Sequence, residues 1–267
     1  MTATLTRNPY VAGLERDSAL ARARELAGAG IAANIGHFAP VALDRDTALA
    51  NTAEYLELAA EISAAQPPST WLEVDLPHIG LDVSVEFCVA RLLDIARRLG
   101  PGRWIQTGAE DAGHTAAVLD TVELASRRGV PIRGSLQANL RRSPADADRL
   151  VAAGVPLRLV KGGFAERPRI AWPFGEQTDV AFVGLGRRIL RGGHGLTIAS
   201  HDRLMHEVFT GTPVEMLLGV RPDVARRLAE QGRGIRLYVP YGTDWHDYVA
   251  KRADDARKAE ALQRRQP

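Results

Sequence analysis

Short apolar, β-branched runs alternate along this chain with longer segments whose apolar residues recur at three- and four-residue steps. The runs Ile31–Ile35, Trp71–Leu76, Arg103–Thr107, Ile132–Ala138, Leu157–Lys161, Leu196–Ser200, Val214–Leu218 and Ile235–Pro240 predict eight strands. The segments between them predict helices over Thr47–Ala64, Val83–Arg98, Thr115–Arg127, Ala145–Ala152, Asp179–Leu190, Asp202–Phe209 and Asp223–Glu230. An N-terminal helical segment is expected within 1–25, and an Ala-, Arg-, Lys- and Glu-rich closing helix over 245–265. Punctuation agrees with these bounds. Pro144 and Pro222 sit at helix starts, and Gly100, Gly129, Gly154 and Gly232 follow helical stretches, where a left-handed cap favours glycine. Asp46 is the expected N-cap of its helix. Strict βα alternation implies parallel strands joined by right-handed crossovers. Eight units in 267 residues fit a single α/β domain, a closed (β/α)8 TIM-like barrel over 1–267, better than an open doubly wound sheet.

Composition narrows the class. The chain is 45% hydrophobic and 25% charged, as a globular protein is. A net charge of +2 lacks the basic surplus of a nucleic-acid-binding protein. One cysteine, Cys88, forms no intramolecular disulfide and lies in an apolar helix, so it reads as core. No signal-peptide pattern and no apolar run of spanning length occurs, which makes the cytoplasm the expected compartment.

In a barrel, chemistry belongs where strands end. The polar residues there are His37, Asp75, His78, Glu110, Asp111, Gln137, Asn139, Lys161, His201, Asp202, Glu215, Tyr238 and Tyr241. The sharpest motif is Arg158-Leu-Val-Lys161-Gly162-Gly163-Phe164. A charged side chain inside a barrel needs an anion or an acid, and two glycines let a ligand approach the backbone. The motif reads either as a site for an electron-rich ring ligand or as an Arg/Lys–carboxylate pair across the barrel. His201-Asp202 ends strand six, but His201 and His206 are five residues apart, off the spacing of a metal pair, so no metal is expected. Tyr238 and Tyr241 read as pocket or as core aromatics. Lys251 and Arg252 read as an anion clamp or as a solvated basic face. Gly184-Leu-Gly186 and Gly192-Gly-His-Gly195 read as turns, since neither has a dinucleotide-binding or P-loop context.

Taken together, the strand ends resemble the proline dehydrogenase family. The matching segments run in order: Gln137-Ala-Asn-Leu140, Leu157-Arg-Leu-Val-Lys-Gly-Gly-Phe164, Ala199-Ser-His-Asp202, Glu215-Met-Leu-Leu-Gly219 and Arg236-Leu-Tyr-Val-Pro-Tyr-Gly-Thr-Asp-Trp245. The resemblance spans about Ile31 to Asp255. It implies an oxidoreductase that binds FAD at the strand C-termini, and the Ala- and Arg-rich composition is compatible with a bacterial source. Such an enzyme passes hydride from the carbon beside a ring nitrogen to flavin N5, then electrons to a quinone or to oxygen. It implies that Gln137, Arg158, Lys161, Gly162, Gly163 and His201 hold FAD. Tyr238 lines the substrate pocket, and Lys251 and Arg252 clamp the substrate carboxylate, with Asp255 replacing the family's Glu.

Four positions depart from the family pattern. Asp75 stands for a strand-two Lys, Gly108 for a strand-three Asp, Lys251 for an Arg and Phe164 for a Tyr. All lie on the amine side. The expectation is therefore a flavin-dependent amine dehydrogenase or oxidase whose substrate is not simple L-proline, with Asp75 pairing with the amine or acting as a base. The alternatives are L-proline dehydrogenase itself and a catalytically silent barrel serving as a binding partner. The basic tail is compatible with weak peripheral membrane association.

Overall fold

The computed structural model describes residues 8–193 and 195–253. Eight parallel strands close into a barrel in sequence order, β1 pairing with both β2 and β8. They are β1 (Ala32–Phe38), β2 (Thr70–Val74), β3 (Ile105–Thr107), β4 (Ile132–Gln137), β5 (Leu157–Val160), β6 (Leu196–Ala199), β7 (Val214–Leu217) and β8 (Ile235–Gly242). Helices α1 (Arg16–Gly28), α2 (Arg45–Ala65), α3 (Val85–Leu99), α4 (Thr115–Arg127), α5 (Ser143–Ala152), α6 (Glu176–Arg191), α7 (Arg203–Val208) and α8 (Pro222–Glu230) surround it.

The hydrophobic core lies between strands and helices rather than inside the barrel. Outward positions such as Leu157, Leu159, Ile198 and Val239 are fully buried under helices that contribute Leu92, Val122, Leu150 and Phe182. Inward positions are largely polar. Residues in parallel register share a face, and Arg158 pairs in register with Ser135 and Thr197, as Glu215 does with Ala199 and Arg236. The barrel interior is thus an ionic network, which matters for the site below.

The glycines at 100, 129, 154 and 232 all take positive φ, between 73° and 84°. Two local expectations change. Asp44, not Asp46, caps α2, its carboxylate accepting from Thr47 N–H at 2.8 Å. Gly184 and Gly186 lie within α6 rather than in a turn. A Cβ on Gly186 would come within 2.4 Å of the Phe209 ring, so this glycine lets α7's end pack against α6.

The closing helix is also placed differently. Residues 246–253 form a helix, α9, and the rest of the predicted span lies outside the described residues. Instead of completing the outer ring, α9 sits over the C-terminal mouth: Tyr248 meets Phe38 and Tyr238, with ring centroids 5.1 and 6.1 Å apart. The flank of β1 and β8 is covered by α1 through Ala19, Leu20, Ala23 and Leu26.

Candidate active site

A cavity of about 340 Å³ opens at the C-terminal ends of the strands, beneath α9. Its wall from β4 to β6 is held by side chains that sequence reasoning singled out. Gln137, at the end of β4, donates to the Glu110 carbonyl at 2.7 Å and accepts from Gly163 N–H at 3.2 Å, tying the β5 loop to the β3 loop. Gly162 has φ of 137°, and a Cβ there would lie 2.2 Å from Asn139 Oδ1, so only glycine fits. A Cβ at Gly163 would meet nothing within 4 Å, leaving backbone open to a ligand.

Arg158 forms the floor. Its guanidinium donates to Glu73 at 2.7 and 3.0 Å, to Glu215 at 3.3 Å, to Ser135 Oγ at 2.9 Å and to the Thr107 carbonyl at 2.9 Å. The carboxylate-pair reading of this arginine is therefore realised. Burial pushes the Glu73 carboxyl up to about 7, against the pull of Arg158. The cost of burying these charges is offset only because every guanidinium donor has an acceptor. Lys161 is bound by two carboxylates as well, Asp179 at 2.5 Å and Asp202 at 2.6 Å. It fixes the β5 end to α6 and α7 and does not line the cavity.

His201 lines the cavity with a buried ring nitrogen left open, as are Asn139 Oδ1 and Glu215 Oε1 nearby. Leu217 N–H approaches its Nε2 at 3.4 Å, whereas Nδ1 is buried with no partner among the described residues. Burial, then the nearby Arg252, push this imidazole down to about 3, so it is neutral. With Nε2 accepting, Nδ1 carries the proton and presents an unused donor beside the cavity.

The opposite wall, from β2 and β3, is different in kind. Asp75 follows β2 and lines the cavity next to Gly108 and Ala109. A Cβ on Gly108 would sit 2.1 Å from Asp75 Oδ1 and 3.3 Å from Glu110 Oε1. Two departures from the family pattern are thus one coupled change: the Asp75 carboxylate fills the space that a side chain at 108 would take. Burial and then Asp75 push the Glu110 carboxyl up to about 8.

Tyr238 projects inward from β8, its ring filling the space above Gly36, where a Cβ would come within 2.5 Å. Burial raises its hydroxyl well above the ordinary tyrosine range. Tyr241 is outside the cavity. It donates to Glu54 at 2.7 Å, which settles it as core. Of the expected carboxylate clamp, Arg252 lines the cavity, whereas Lys251 reaches the Gly163 carbonyl at 2.9 Å and joins α9 to the β5 loop. Asp255 lies outside the described residues. Cys88 is buried core with its thiol pushed up by burial. No metal-ligating cluster occurs among the described residues.

Glu73 was missed as a site residue. The signal was available: Trp71, Glu73 and Asp75 share one face of β2 by two-residue alternation, so a charge at 73 had to enter the barrel. Phe38 and Tyr248, which also line the cavity, carried no local signal.

No family model matches the sequence. The chain is 29% identical over 257 residues to proline dehydrogenase 1 of Bacillus subtilis (strain 168), covering 91% of this chain and 84% of that protein. It is 26% identical over 254 residues to proline dehydrogenase 2 of the same organism, with the same coverage. A stretch of 136 residues is 32% identical to proline dehydrogenase of Deinococcus radiodurans, 46% of this chain and 44% of that one. Among solved structures, proline utilization A from Bdellovibrio bacteriovorus, inactivated by N-propargylglycine, matches with a TM-score of 0.79 at 17% identity over 94% of this chain. A variant of proline utilization A from Bradyrhizobium japonicum matches with a TM-score of 0.78 at 19% identity over 93%. The chain spans 32% and 30% of those two longer chains. Along nine-tenths of its length the chain is thus similar in sequence to proteins named proline dehydrogenase, and it shares its closed barrel with the proline utilization A structures.

Proposed function

We propose that this protein is an FAD-dependent dehydrogenase that oxidises L-proline at its C–N bond to 1-pyrroline-5-carboxylate, with a quinone as the class of electron acceptor. Relatives of similar length along the whole barrel bear the name proline dehydrogenase, and this moves the substrate back to L-proline from the non-proline amine that the pocket residues alone suggested. The contact between Asp75 and the space above Gly108 supports the same move, because the two departures compensate each other instead of opening a new pocket.

The observation that carries the reading is the fit of the β4–β6 wall to a flavin. An unused, buried His201 Nδ1 donor and the open backbone at Gly163 border one cavity, above a floor in which Arg158 is locked by Glu73 and Glu215. Gln137, Gly162, Gly163 and His201 would hold the cofactor, with Arg158 beneath it and Lys161 bracing the loop. FAD, when bound, supplies the hydride acceptor. Arg158, its donors held by Glu73, Glu215, Ser135 and Thr107, keeps the floor beneath the cofactor rigid. Asp75 faces the cavity without a hydrogen-bond donor among the described side chains and takes the substrate ammonium or its proton. Arg252 meets the substrate carboxylate, and Tyr238 and Tyr248 exclude water from above.

Steady-state turnover with L-proline and a soluble quinone tests this. Formation of the pyrroline product is expected. Turnover of other secondary amines with L-proline inert would return the substrate to the non-proline class. A flavin-free protein would leave the silent-barrel alternative.

A further inference from the structure

The opposite mouth of the barrel carries a second built feature. A cavity of about 540 Å³ opens at the N-terminal ends of the strands, lined by Trp71, Arg133, Thr197, Thr212, Glu215 and Arg236 among others. Both arginines face it. The Arg236 guanidinium lies 3.4 Å from the centre of the Trp71 ring, and that of Arg133 lies 5.1 Å from it. Arg133 donates to Thr197 Oγ1 at 2.6 Å and to Gln106 Oε1 at 3.3 Å. Arg236 donates through Nη1 to the carbonyls of Ala33 and Ser69, at 2.8 and 2.5 Å. Neither forms a salt bridge among the described residues, although Arg133 is only 7% exposed.

Charge inside the barrel does not balance. Arg133, Arg158 and Arg236 face only Glu73 and Glu215, and both glutamates are engaged by Arg158 on the flavin side. Burial draws the Arg133 and Arg236 guanidiniums down, the latter to about 10, with Glu215 as the chief opposing influence. Both stay cationic at neutral pH. A buried surplus cation costs free energy unless an anion joins it. Two guanidiniums presenting planar N–H edges to one cavity match the oxygens of phosphate or carboxylate.

We infer that this N-terminal mouth is a binding site for a small phosphate-class oxyanion, held between the guanidiniums of Arg133 and Arg236, which the Trp71 ring backs. The source is free phosphate or a small phosphorylated metabolite. The site is separate from the flavin cavity and does not depend on the proposed reaction.

The test is a titration of the FAD-saturated full chain with inorganic phosphate at constant ionic strength, following the melting temperature. Saturating FAD keeps phosphate from reporting on the cofactor site. A rise of roughly 5 °C is expected at a hundredfold excess over Kd. Arg236→Gln abolishes the rise, whatever its phosphate-free melting temperature, because the readout is the shift that phosphate adds to each variant's own baseline. Should that variant not fold, Arg133→Gln serves the same purpose. Tryptophan emission gives an independent reading: phosphate changes it in the parent chain and not in Trp71→Phe. A larger shift with glycerol 3-phosphate than with inorganic phosphate assigns the site to a phosphorylated metabolite, and a smaller one to the free ion. No shift with either, or an equal shift in the arginine variants, overturns the inference.

Discussion

The two walls of the C-terminal cavity are built on opposite principles. From β4 to β6, nearly every polar group is committed before any ligand arrives. Gln137 ties two loops together, Lys161 is held by two carboxylates, and Arg158 spends all its donors on Glu73, Glu215, Ser135 and Thr107. From β2 to β3, charge is left over. Asp75 and Glu110 converge on the space above Gly108, and of the cations in the cavity wall Arg158 is already held by Glu73 and Glu215. A cofactor that stays bound through many turnovers needs a rigid, prepaid bed. A substrate amine that arrives as a cation and leaves without its proton needs the unbalanced acid. Two of the four departures, Asp75 and Gly108, fall on the second wall, and the other two, Phe164 and Lys251, meet each other at the β5 loop.

The contrast is broken most severely at Arg158. Arg158→Met leaves Glu73 and Glu215 buried without a counter-charge, and a loss of about 3–5 kcal/mol in chemical denaturation is expected, together with loss of flavin. Asp75→Asn touches only the amine wall. Flavin content is expected to stay at the parent level while kcat/KM falls by about 10²-fold or more. Equal flavin content with unchanged turnover would remove Asp75 from the chemistry. The coupling across the second wall is sharpened by a double-mutant cycle. Gly108→Asp alone drives a carboxylate into the Asp75 oxygen, whereas Asp75→Lys together with Gly108→Asp restores the family's Lys and Asp. Stabilities measured by denaturation are expected to be non-additive by about 1–3 kcal/mol, in favour of the double variant. Additivity would show that the two departures are independent.

The smallest effect is a slope. Glu110 titrates near 8 in the folded protein, well above a free glutamate, because of burial and the facing Asp75; Asp111 and Asp82 push the same way and His114 opposes them. The folded state therefore holds a proton that the unfolded chain releases between about pH 4.3 and 8. Its contribution to stability is complete below the unfolded value and is lost as pH rises through 8. Glu110→Gln is expected to flatten that decline in melting temperature between pH 5 and 8.5. An unaltered slope would place that titration on another group.

Much of this was legible in the sequence because barrel strands and helices follow simple periods. All eight strands and the seven intervening helices lie within a few residues of their expected bounds, and α4 matches at both ends. What escaped was set by three-dimensional neighbours. Asp44 took the N-cap role from Asp46 because its carboxylate, not the later one, reaches Thr47 N–H. Gly186 looks like a turn residue until Phe209 is seen to need its missing side chain. Lys251 and Arg252 are adjacent in sequence, yet a helix sends neighbours in different directions, one to the β5 loop and the other to the cavity. Asp75 and Gly108 are 33 positions apart, and nothing in one chain links them. Their contact recasts two losses as one exchange.

The most direct test of the contrast is the visible spectrum of the purified chain, before and after anaerobic L-proline. A flavin band near ~450 nm, bleached on adding L-proline, is the expected result. A protein that stays colourless after incubation with FAD and desalting would contradict the prepaid wall, and a bound flavin that L-proline leaves oxidised would contradict the amine wall.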